Sequence, residues 1–228
     1  MHDPLLDDLD AHQREAVVSD AQPLAVLAPA GSGKTRVLTR RIAYRVREGS
    51  ASARHVLAVT FTRKAAGELA YRLGRLGVHD SVTAGTFHAL ALAQLRRRAT
   101  EQGREPPTVL ASKARVLAPL LKGTGRASRS DVADLATEIE WAKSRLITPD
   151  RFASAALSAG RRLPRAADEI AAVFTQYENE KRRRRLCDFD DLLAWCADAI
   201  DRDPDFAAAQ RWRFRHLFVD EFQDATPL

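Results

Sequence analysis

Residues 28–42 read APAGSGKTRVLTRRI, a glycine-rich turn between an apolar, strand-like run at Leu24–Leu27 and an amphipathic helical pattern. Gly31 and Gly33 allow backbone N–H groups to curve around phosphate oxygens, and the N-terminus of the following helix presents its positive dipole end to the same anion. A strand, a glycine-rich turn and a helix in this order predict a P-loop, the phosphate-binding turn of many α/β proteins.

The side chains that follow Gly33 supply the groups that a nucleoside triphosphate needs. Lys34 is expected to reach the β and γ phosphates, and the Thr35 hydroxyl is expected to bind Mg²⁺, which prefers oxygen ligands. Ala28 stands where the general pattern has its first glycine, a place that alanine tolerates when φ is negative. ATP and Mg²⁺ are therefore the expected cofactors. The expected nucleotide contacts in the loop are Ala30, Gly31, Ser32, Gly33, Lys34 and Thr35.

A second polar turn follows an apolar run near the end of the chain. HLFVDEFQD, residues 216–224, ends in paired carboxylates and is interpreted as the Walker B strand. Asp220 is expected to hold Mg²⁺ through water, and Glu221 to orient the attacking water as the base. With Lys34 and Gln223 they make up the predicted catalytic set. The alternative is an acidic cluster that caps a helix.

The order of short apolar runs and amphipathic helical patterns predicts an α/β fold with a parallel sheet. The expected strands are Leu24–Leu27, Val56–Val59, Val82–Thr83 and Leu217–Val219. From residue 90 to residue 186 the alternation stops and the pattern is helical throughout, which indicates an all-helical insertion.

Composition and charge narrow the function classes. The 228 residues are 45% hydrophobic and 29% charged, as in ordinary globular proteins. No apolar run approaches the length of a membrane span and the acidic start is unlike a signal peptide, so a cytoplasmic protein is expected. Cys187 and Cys196 lack the spacing of a disulfide framework or a zinc site and are expected to be buried thiols.

Positive charge is concentrated in the middle of the chain. Residues 90–186 hold twenty lysine and arginine residues against eleven acidic ones, a net charge of +9 in a chain whose total is +6. Arg161, Arg162, Arg165 and the run Lys181–Arg185 could neutralise phosphates, the last being the weaker candidate. The alternative is a solvated, arginine-rich helical face.

Six motifs in order resemble those of UvrD/PcrA/Rep-like superfamily 1 DNA helicases. They are LDAHQREAV (9–17), the P-loop, VLAVTFTRKAAGELAYRL (56–73), GTFHAL (85–90), DFDDLL (188–193) and DEFQDATPL (220–228). This resemblance implies that Gln13 binds the adenine edge and that Arg36 packs the adenine. It also implies an ATP-dependent DNA helicase or translocase, with 3′ to 5′ polarity known from the family alone.

The resemblance further implies a RecA-like ATP-binding domain 1A at residues 1–89 and 187–228, interrupted by helical subdomain 1B at residues 90–186. Single-stranded DNA and its junction with duplex are the implied partners, together with a second RecA-like domain 2A and a subdomain 2B beyond residue 228. The expected DNA contacts at strand ends are Phe61, Thr62, Arg63, Thr86 and His88. Phe61 as a core residue and His88 as a structural histidine are the alternatives.

In RecA-like sheets the strand after Walker B lies between the Walker B and P-loop strands. We therefore expect two unpaired strand edges in this chain, and weak nucleotide binding without helicase activity when it is alone. Three rival classes remain. A small-molecule kinase would share the P-loop but not DEFQD, a RecB-like helicase-nuclease would share nearly every motif, and a DNA-binding fragment would keep nucleotide affinity without turnover.

Overall fold

The computed structural model describes residues 3–78, 82–122 and 128–225. The chain divides into two compact units, one formed by the residues up to Leu90 together with Asp203–Asp224, the other by Ala91–Arg202. The strands are β1 Val56–Thr60, β2 Thr83–Thr86, β3 Thr108–Val109, β4 Leu186–Cys187 and β5 His216–Val219. The helices are α1 Ala11–Val18, α2 Lys34–Arg47, α3 Arg63–Arg75, α4 Phe87–Glu101, α5 Ala114–Lys122, α6 Arg129–Lys143, α7 Phe152–Ser158, α8 Ala167–Arg184, α9 Phe189–Arg202 and α10 Pro204–Arg213.

The first unit is built on a parallel sheet in the order β2-β1-β5. Val59 of β1 lies opposite Gly85 on one side and Val219 on the other, so the carboxyl ends of all three strands meet at one edge. The strands predicted around residues 56, 83 and 217 are confirmed. Ile42 of α2 and Leu69 of α3 pack on the sheet with Val56, which places the N-terminus of α2 beside the same edge.

The segment Leu24–Leu27 departs from the prediction. It is not a strand and pairs with none, and Leu27 is 94% exposed. The strand β5 has one neighbour, β1, among the described residues, and Leu217 is 62% exposed. A strand requires a partner for its backbone groups, and the described residues offer Leu24–Leu27 none.

The second unit is mainly helical, and its core gathers apolar side chains from α5 to α8. Leu117, Leu135, Phe152 and Tyr177 are all fully buried there. The expectation of an all-helical stretch needs one correction, because β3 pairs in parallel with β4, Val109 opposite Cys187. The Leu110 N–H donates to Cys187 O over 2.7 Å and extends this short pairing by one residue.

The structure groups residues 187–202 with the helical unit, whereas the sequence assigned them to the ATP-binding domain. Cys187 and Leu192 pack against Ala91 and Leu95 of α4 in one apolar cluster, which explains the grouping. The first division, after Leu90, lies one residue from the expected one.

A buried cluster of charges holds the second unit together. The Lys181 ammonium, 2% exposed, donates to Asp188 over 3.0 Å and to Asp191 over 2.6 Å. Lys143 donates to Asp188 over 2.9 Å and also to Asp191, and the Tyr177 hydroxyl donates to Asp188 over 2.9 Å. Lys181 is therefore neither a phosphate contact nor a solvated helix end, because carboxylates enclose its charge inside the unit.

The carboxylates of this cluster stand close enough to bind a cation. Ligand atoms of Glu178, Asp188 and Asp191 all lie within 4.8 Å of one another. The ammonium groups of Lys143 and Lys181 lie among them and supply the positive charge. Burial raises the pKa of Asp188, but the two lysines outweigh it and hold that pKa well below its ordinary value. The cluster is thus a structural ion-pair network.

The cysteines are free thiols, as expected. Cys187 is fully buried, and burial raises the pKa of its thiol to about 11. Cys196 is partly buried, and burial raises its pKa as well. None of the described helices is long and apolar enough to cross a bilayer.

Candidate functional site

The glycine-rich turn has the backbone that a P-loop requires. Gly31 and Gly33 have φ of 78° and 86°, in the left-handed region that favours glycine. Gly33 is the N-cap residue of α2, which begins at Lys34. A Cβ at Gly33 would lie 3.2 Å from Nε2 of Gln13, so a larger residue would need a shift of that amide in addition to the strained left-handed backbone. The turn therefore directs the N-terminus of α2 toward the carboxyl edge of the sheet.

The Lys34 side chain folds back over its own loop. Its Nζ donates to the carbonyl oxygens of Ala28 and Pro29, over 3.0 and 3.2 Å. Ser32 Oγ donates to the same Pro29 oxygen over 2.7 Å. The ammonium thus lies inside the curve of the loop, close to where phosphate oxygens bind in a P-loop, and is held there by neutral acceptors that an anion would replace.

The P-loop helix is joined directly to the Walker B segment. Thr35 Oγ1 donates to Oδ2 of Asp220 over 3.0 Å. Asp220 is 6% exposed, and its backbone N–H donates to Val59 O over 2.9 Å, extending the pairing of β5 with β1. A hydroxyl and a carboxylate at this separation, at the N-terminus of a helix, are the oxygen ligands that Mg²⁺ prefers. These two residues fit the cation expected from the sequence.

Glu221 follows Asp220 in a strained turn. Its φ of 55° is left-handed, and a 3-10 turn at Phe222–Asp224 follows it. The Gln223 side-chain amide donates to the Glu221 carboxylate, and the Asp224 N–H donates to Glu221 O over 2.9 Å. Backbone strain at a non-glycine residue costs on the order of 1–3 kcal/mol and is found most often at functional sites. The turn sets the Glu221 carboxylate beside Asp220 while leaving it partly exposed.

Gln13 and Arg36 contact each other, which the separate predictions for them did not include. Gln13 Nε2 donates to Ser32 O over 2.9 Å, and Arg36 Nη2 donates to Gln13 Oε1 over 2.8 Å. Gln13 also completes a capping box with Asp10 at the N-terminus of α1. Arg36 Nε is buried and has no hydrogen-bond partner among the described residues. The two residues predicted to meet adenine therefore form one unit on the P-loop, with a donor still available.

A further arginine of α2, which the sequence analysis did not single out, holds the other end of α1. Arg41, 7% exposed, donates to the carbonyl oxygens of Ala16, Ser19 and Ala21 over 2.8, 2.6 and 3.2 Å. Carbonyls at a helix C-terminus lack intrahelical partners, and a guanidinium satisfies several of them at once. No local pattern indicates this role, because the carbonyls that Arg41 contacts lie 20 to 25 positions earlier in the chain.

The expected DNA contacts of the first unit lie at the carboxyl ends of β1 and β2. Phe61 and Phe87 form an aromatic pair with ring centroids 5.0 Å apart at 46°. Thr62 caps α3 by accepting from Ala65 N–H, and Thr86 accepts from Ala89 N–H. The Thr86 hydroxyl is buried, which makes it a turn-forming group more than a free phosphate donor.

The remaining contacts expected in this unit, Arg63 and His88, are an exposed side chain at the start of α3 and a half-buried one in α4. Phe87, which pairs with Phe61, was not predicted as a candidate, although it also follows a strand directly.

Two of the three arginines predicted to bind DNA in the second unit are held by carboxylates. Arg161 makes a bidentate pair with Glu138 over 2.9 and 2.8 Å and lies 4.4 Å from the Trp141 ring centroid. Arg165 pairs with Glu169 and Asp131. Arg162 is exposed. The hydrogen bond that Arg161 donates to Glu138 raises the pKa of Arg161, consistent with a guanidinium held within its own unit.

Comparison with known proteins gives a consistent family. The family described as UvrD/REP helicase N-terminal domain matches residues 9–228. The chain is 46% identical to the ATP-dependent DNA helicase UvrD2 of Mycobacterium bovis, with 99% of the chain and 34% of that protein aligned. It is 36% identical to UvrD1 of Mycobacterium leprae (97% of the chain, 29% of that protein) and 35% identical to PcrA of Leuconostoc citreum (96% and 30%). The chain spans about a third of the length of these relatives.

Proposed function

Because the chain belongs to the UvrD/REP helicase family, we propose that it is the ATP-binding portion of a helicase that couples ATP hydrolysis to movement along single-stranded DNA, 3′ to 5′. The observation that carries the proposal is the hydrogen bond between Thr35 and Asp220, which joins the P-loop to the Walker B turn. In this proposal the first unit, with the RecA-like order, binds ATP, and the helical unit is its inserted subdomain.

The residues of the site divide the work. Backbone N–H groups of the loop and the Lys34 ammonium bind the phosphates, while Gln13 and Arg36 together contact the base. Thr35 and Asp220 would hold Mg²⁺, which when bound neutralises charge on the phosphate oxygens. Glu221 accepts a proton from the attacking water, and Gln223 holds the Glu221 carboxylate in position by its amide hydrogen bond.

DNA contact is proposed for the loops that follow β1 and β2. Phe61 and Phe87 would offer aromatic faces to bases, and the exposed Arg63 would neutralise a phosphate. These loops and the Walker B turn lie at the same ends of the strands. A shift of the Walker B turn on ATP binding would therefore also move the DNA-contacting loops.

A second candidate, nucleotide binding without turnover by this chain alone, rests on Leu24–Leu27. This run leads into the P-loop and is neither paired nor buried, so the loop has weak support on that side. In ATPases of this class arginines from a facing domain also stabilise the transition state, and their loss costs roughly 10³ to 10⁵ in rate.

The test is phosphate release with and without single-stranded DNA, and unwinding of 3′-tailed and 5′-tailed duplexes, by the chain and by the complete helicase. DNA-stimulated hydrolysis and unwinding of the 3′-tailed substrate by the complete helicase are expected, with binding alone for the chain. A hydrolysis rate of the complete helicase that single-stranded DNA does not change would contradict the proposed function. Vigorous unwinding by residues 1–228 would contradict the second candidate.

A further inference from the structure

A basic surface lies in the first unit where β1 and β5 begin, at the opposite end of the strands from the P-loop. Residues 211–216 read RWRFRH and alternate arginine with aromatic rings between the end of α10 and the start of β5. His216 lies opposite Val56 at the start of β1, so Arg54 and His55 adjoin this segment. We call this surface the basic edge. It consists of Arg45, Arg54, His55 and residues 211–216.

The five arginines of the basic edge lack an acidic partner among the described residues. Burial lowers the pKa of His216, and the charges of Arg45, His55 and Arg215 lower it further. Like charges gathered at one place in this way raise the local concentration of anions.

Arg45 is the sharpest sign that an anion belongs there. It is 8% exposed, and its guanidinium makes no hydrogen bond or ion pair with a described residue. Its neighbour Arg41 is buried to a similar degree but is satisfied by backbone carbonyls. The Arg45 guanidinium nitrogens are not among the buried, unpartnered polar atoms of the described residues, so they reach the surface, where an oxyanion can contact them.

Trp212 adds a feature that a simple anion does not need. Its side chain is 64% exposed at the end of α10. The His55 ring meets it edge-on, with centroids 5.1 Å apart at 79°, and the His55 ring nitrogen donates to Arg213 O over 3.1 Å. One aromatic edge thus steadies the indole while most of its surface stays open. Exposed aromatic faces set among arginines are the elements that bind bases and phosphates of single strands together.

We propose that the basic edge is a second binding site for single-stranded nucleic acid, separate from the loops after β1 and β2. An acidic peptide would satisfy the arginines, but it would leave the exposed indole without a role, so the observations favour a nucleic acid. Asp220 lies four positions after His216 of the basic edge, and β5 spans this distance of about 13 Å at the rise of an extended strand. A nucleic acid bound both at the basic edge and at the loops after β1 and β2 would therefore contact the two opposite ends of the β-strands.

The inference rests on the proposed function only for the identity of the polyanion. Binding to a fluorescein-labelled oligothymidine of about 16 nucleotides, the upper range of such sites, is measured by anisotropy across a salt series without nucleotide. The double variant Arg211→Gln/Arg215→Gln is compared with Arg104→Gln/Arg151→Gln, which removes the same charge from exposed arginines of the helical unit. The first is expected to lower the salt slope by about 1.4 and the second to leave it nearly unchanged.

Trp212→Ala is expected to weaken binding at least about 5-fold, since stacking on an aromatic side chain contributes roughly 1–3 kcal/mol per base. Trp212→Phe should recover most of that loss. Trp195→Ala, at an indole 42% exposed in the helical unit, is the matched control and should bind as the wild type does. Melting curves of each variant identify any that fail to fold.

Equal affinities and slopes for the basic-edge variants and their controls would overturn the proposal while leaving the loops after β1 and β2 in place. A second outcome would overturn the proposal in favour of an acidic protein partner. In it, poly-glutamate displaces the oligothymidine, the displacement depends on the same arginines, and Trp212→Ala leaves the affinity for oligothymidine unchanged. Failure of the wild-type chain to bind the oligothymidine at all would also overturn this proposal, whereas the proposed function is tested separately by phosphate release and unwinding by the complete helicase.

Discussion

Thr35 Oγ1 and Asp220 Oδ2 lie 3.0 Å apart although 185 positions separate the two residues in the chain. The contact forms because Gly33 starts α2 at the same sheet edge where β5 ends. The contact sets side by side the hydroxyl and the carboxylate that are proposed to hold Mg²⁺.

Lys34→Ala should weaken ATP binding about 10- to 100-fold, because it removes a charge-assisted hydrogen bond of roughly 1.5–3 kcal/mol from the phosphates. Titration with a fluorescent ATP analogue measures the change. Lys64→Ala, at an exposed lysine of α3, is the control for loss of charge. Wild-type affinity in Lys34→Ala would show that the loop amides alone bind the phosphates.

Glu221→Gln should keep ATP binding but lower the hydrolysis rate of the complete helicase by about 10²- to 10⁴-fold, because an amide cannot accept the proton of the attacking water. Single-turnover phosphate release measures the rate. Asp224→Asn changes an exposed carboxylate in the same turn and should retain most activity. Similar losses in the two variants would mean that the shape of the turn matters and not the base.

Gln13→Ala should reduce discrimination between ATP and GTP, because Gln13 both faces the expected base site and orients Arg36. Competition of the two nucleotides for the same fluorescent analogue gives the ratio. Asp10→Ala removes the other half of the capping box, at a cost of about 1 kcal/mol of stability, and leaves the contact with Ser32 intact. Its ATP preference should stay at the wild-type value.

Lys181→Met should destabilise the helical unit by about 3–5 kcal/mol, because it leaves the carboxylates of Asp188 and Asp191 buried with less compensation. Arg183→Met is the control, since its ion pair with Glu180 lies on the surface and such pairs contribute only about 0–1 kcal/mol. Urea unfolding measures both. A small effect of Lys181→Met would mean that Lys143 alone neutralises the cluster.

Stability should fall in acid because the folded pKa of Asp188 is below its ordinary value of 3.8. A carboxylate of this kind stabilises the fold above its unfolded pKa, and the contribution is lost as pH falls through the folded one. The free energy of unfolding should therefore decrease as the pH drops below about 4. In Asp188→Asn the starting stability should be lower and the decrease smaller. An unchanged pH dependence in this variant would assign the acid sensitivity to other carboxylates.

Features that depend on a local sequence pattern could be predicted from the sequence. The glycine spacing located the P-loop, and apolar runs located β1 and β5 to within a residue. Leu24–Leu27 was predicted as a strand from its apolar character, but a strand exists only with a neighbour, and pairing is a property of the whole sheet. Lys181 read as part of a solvated basic run, because its partners Asp188 and Asp191 are recognisable only once α8 and α9 pack.

The contacts between the candidate site residues could not be predicted from the sequence. Gln13 and Arg36 were each assigned to the nucleotide, but their mutual hydrogen bond spans 23 positions and has no local signature. The basic edge was missed for a similar reason. RWRFRH is visible in the sequence, but Arg45 and His55 join it only through the register of β1 with β5.

Helix α1 is fastened to α2 at both ends, through Gln13 and Arg36 at one end and through Arg41 and the last carbonyls of α1 at the other. A rod of eight residues, about 12 Å long, that is pinned twice to a neighbour cannot tilt by itself. We therefore expect any displacement of the start of α2 on phosphate binding to carry α1 with it, so that the outer surface of α1 would report the state of the P-loop.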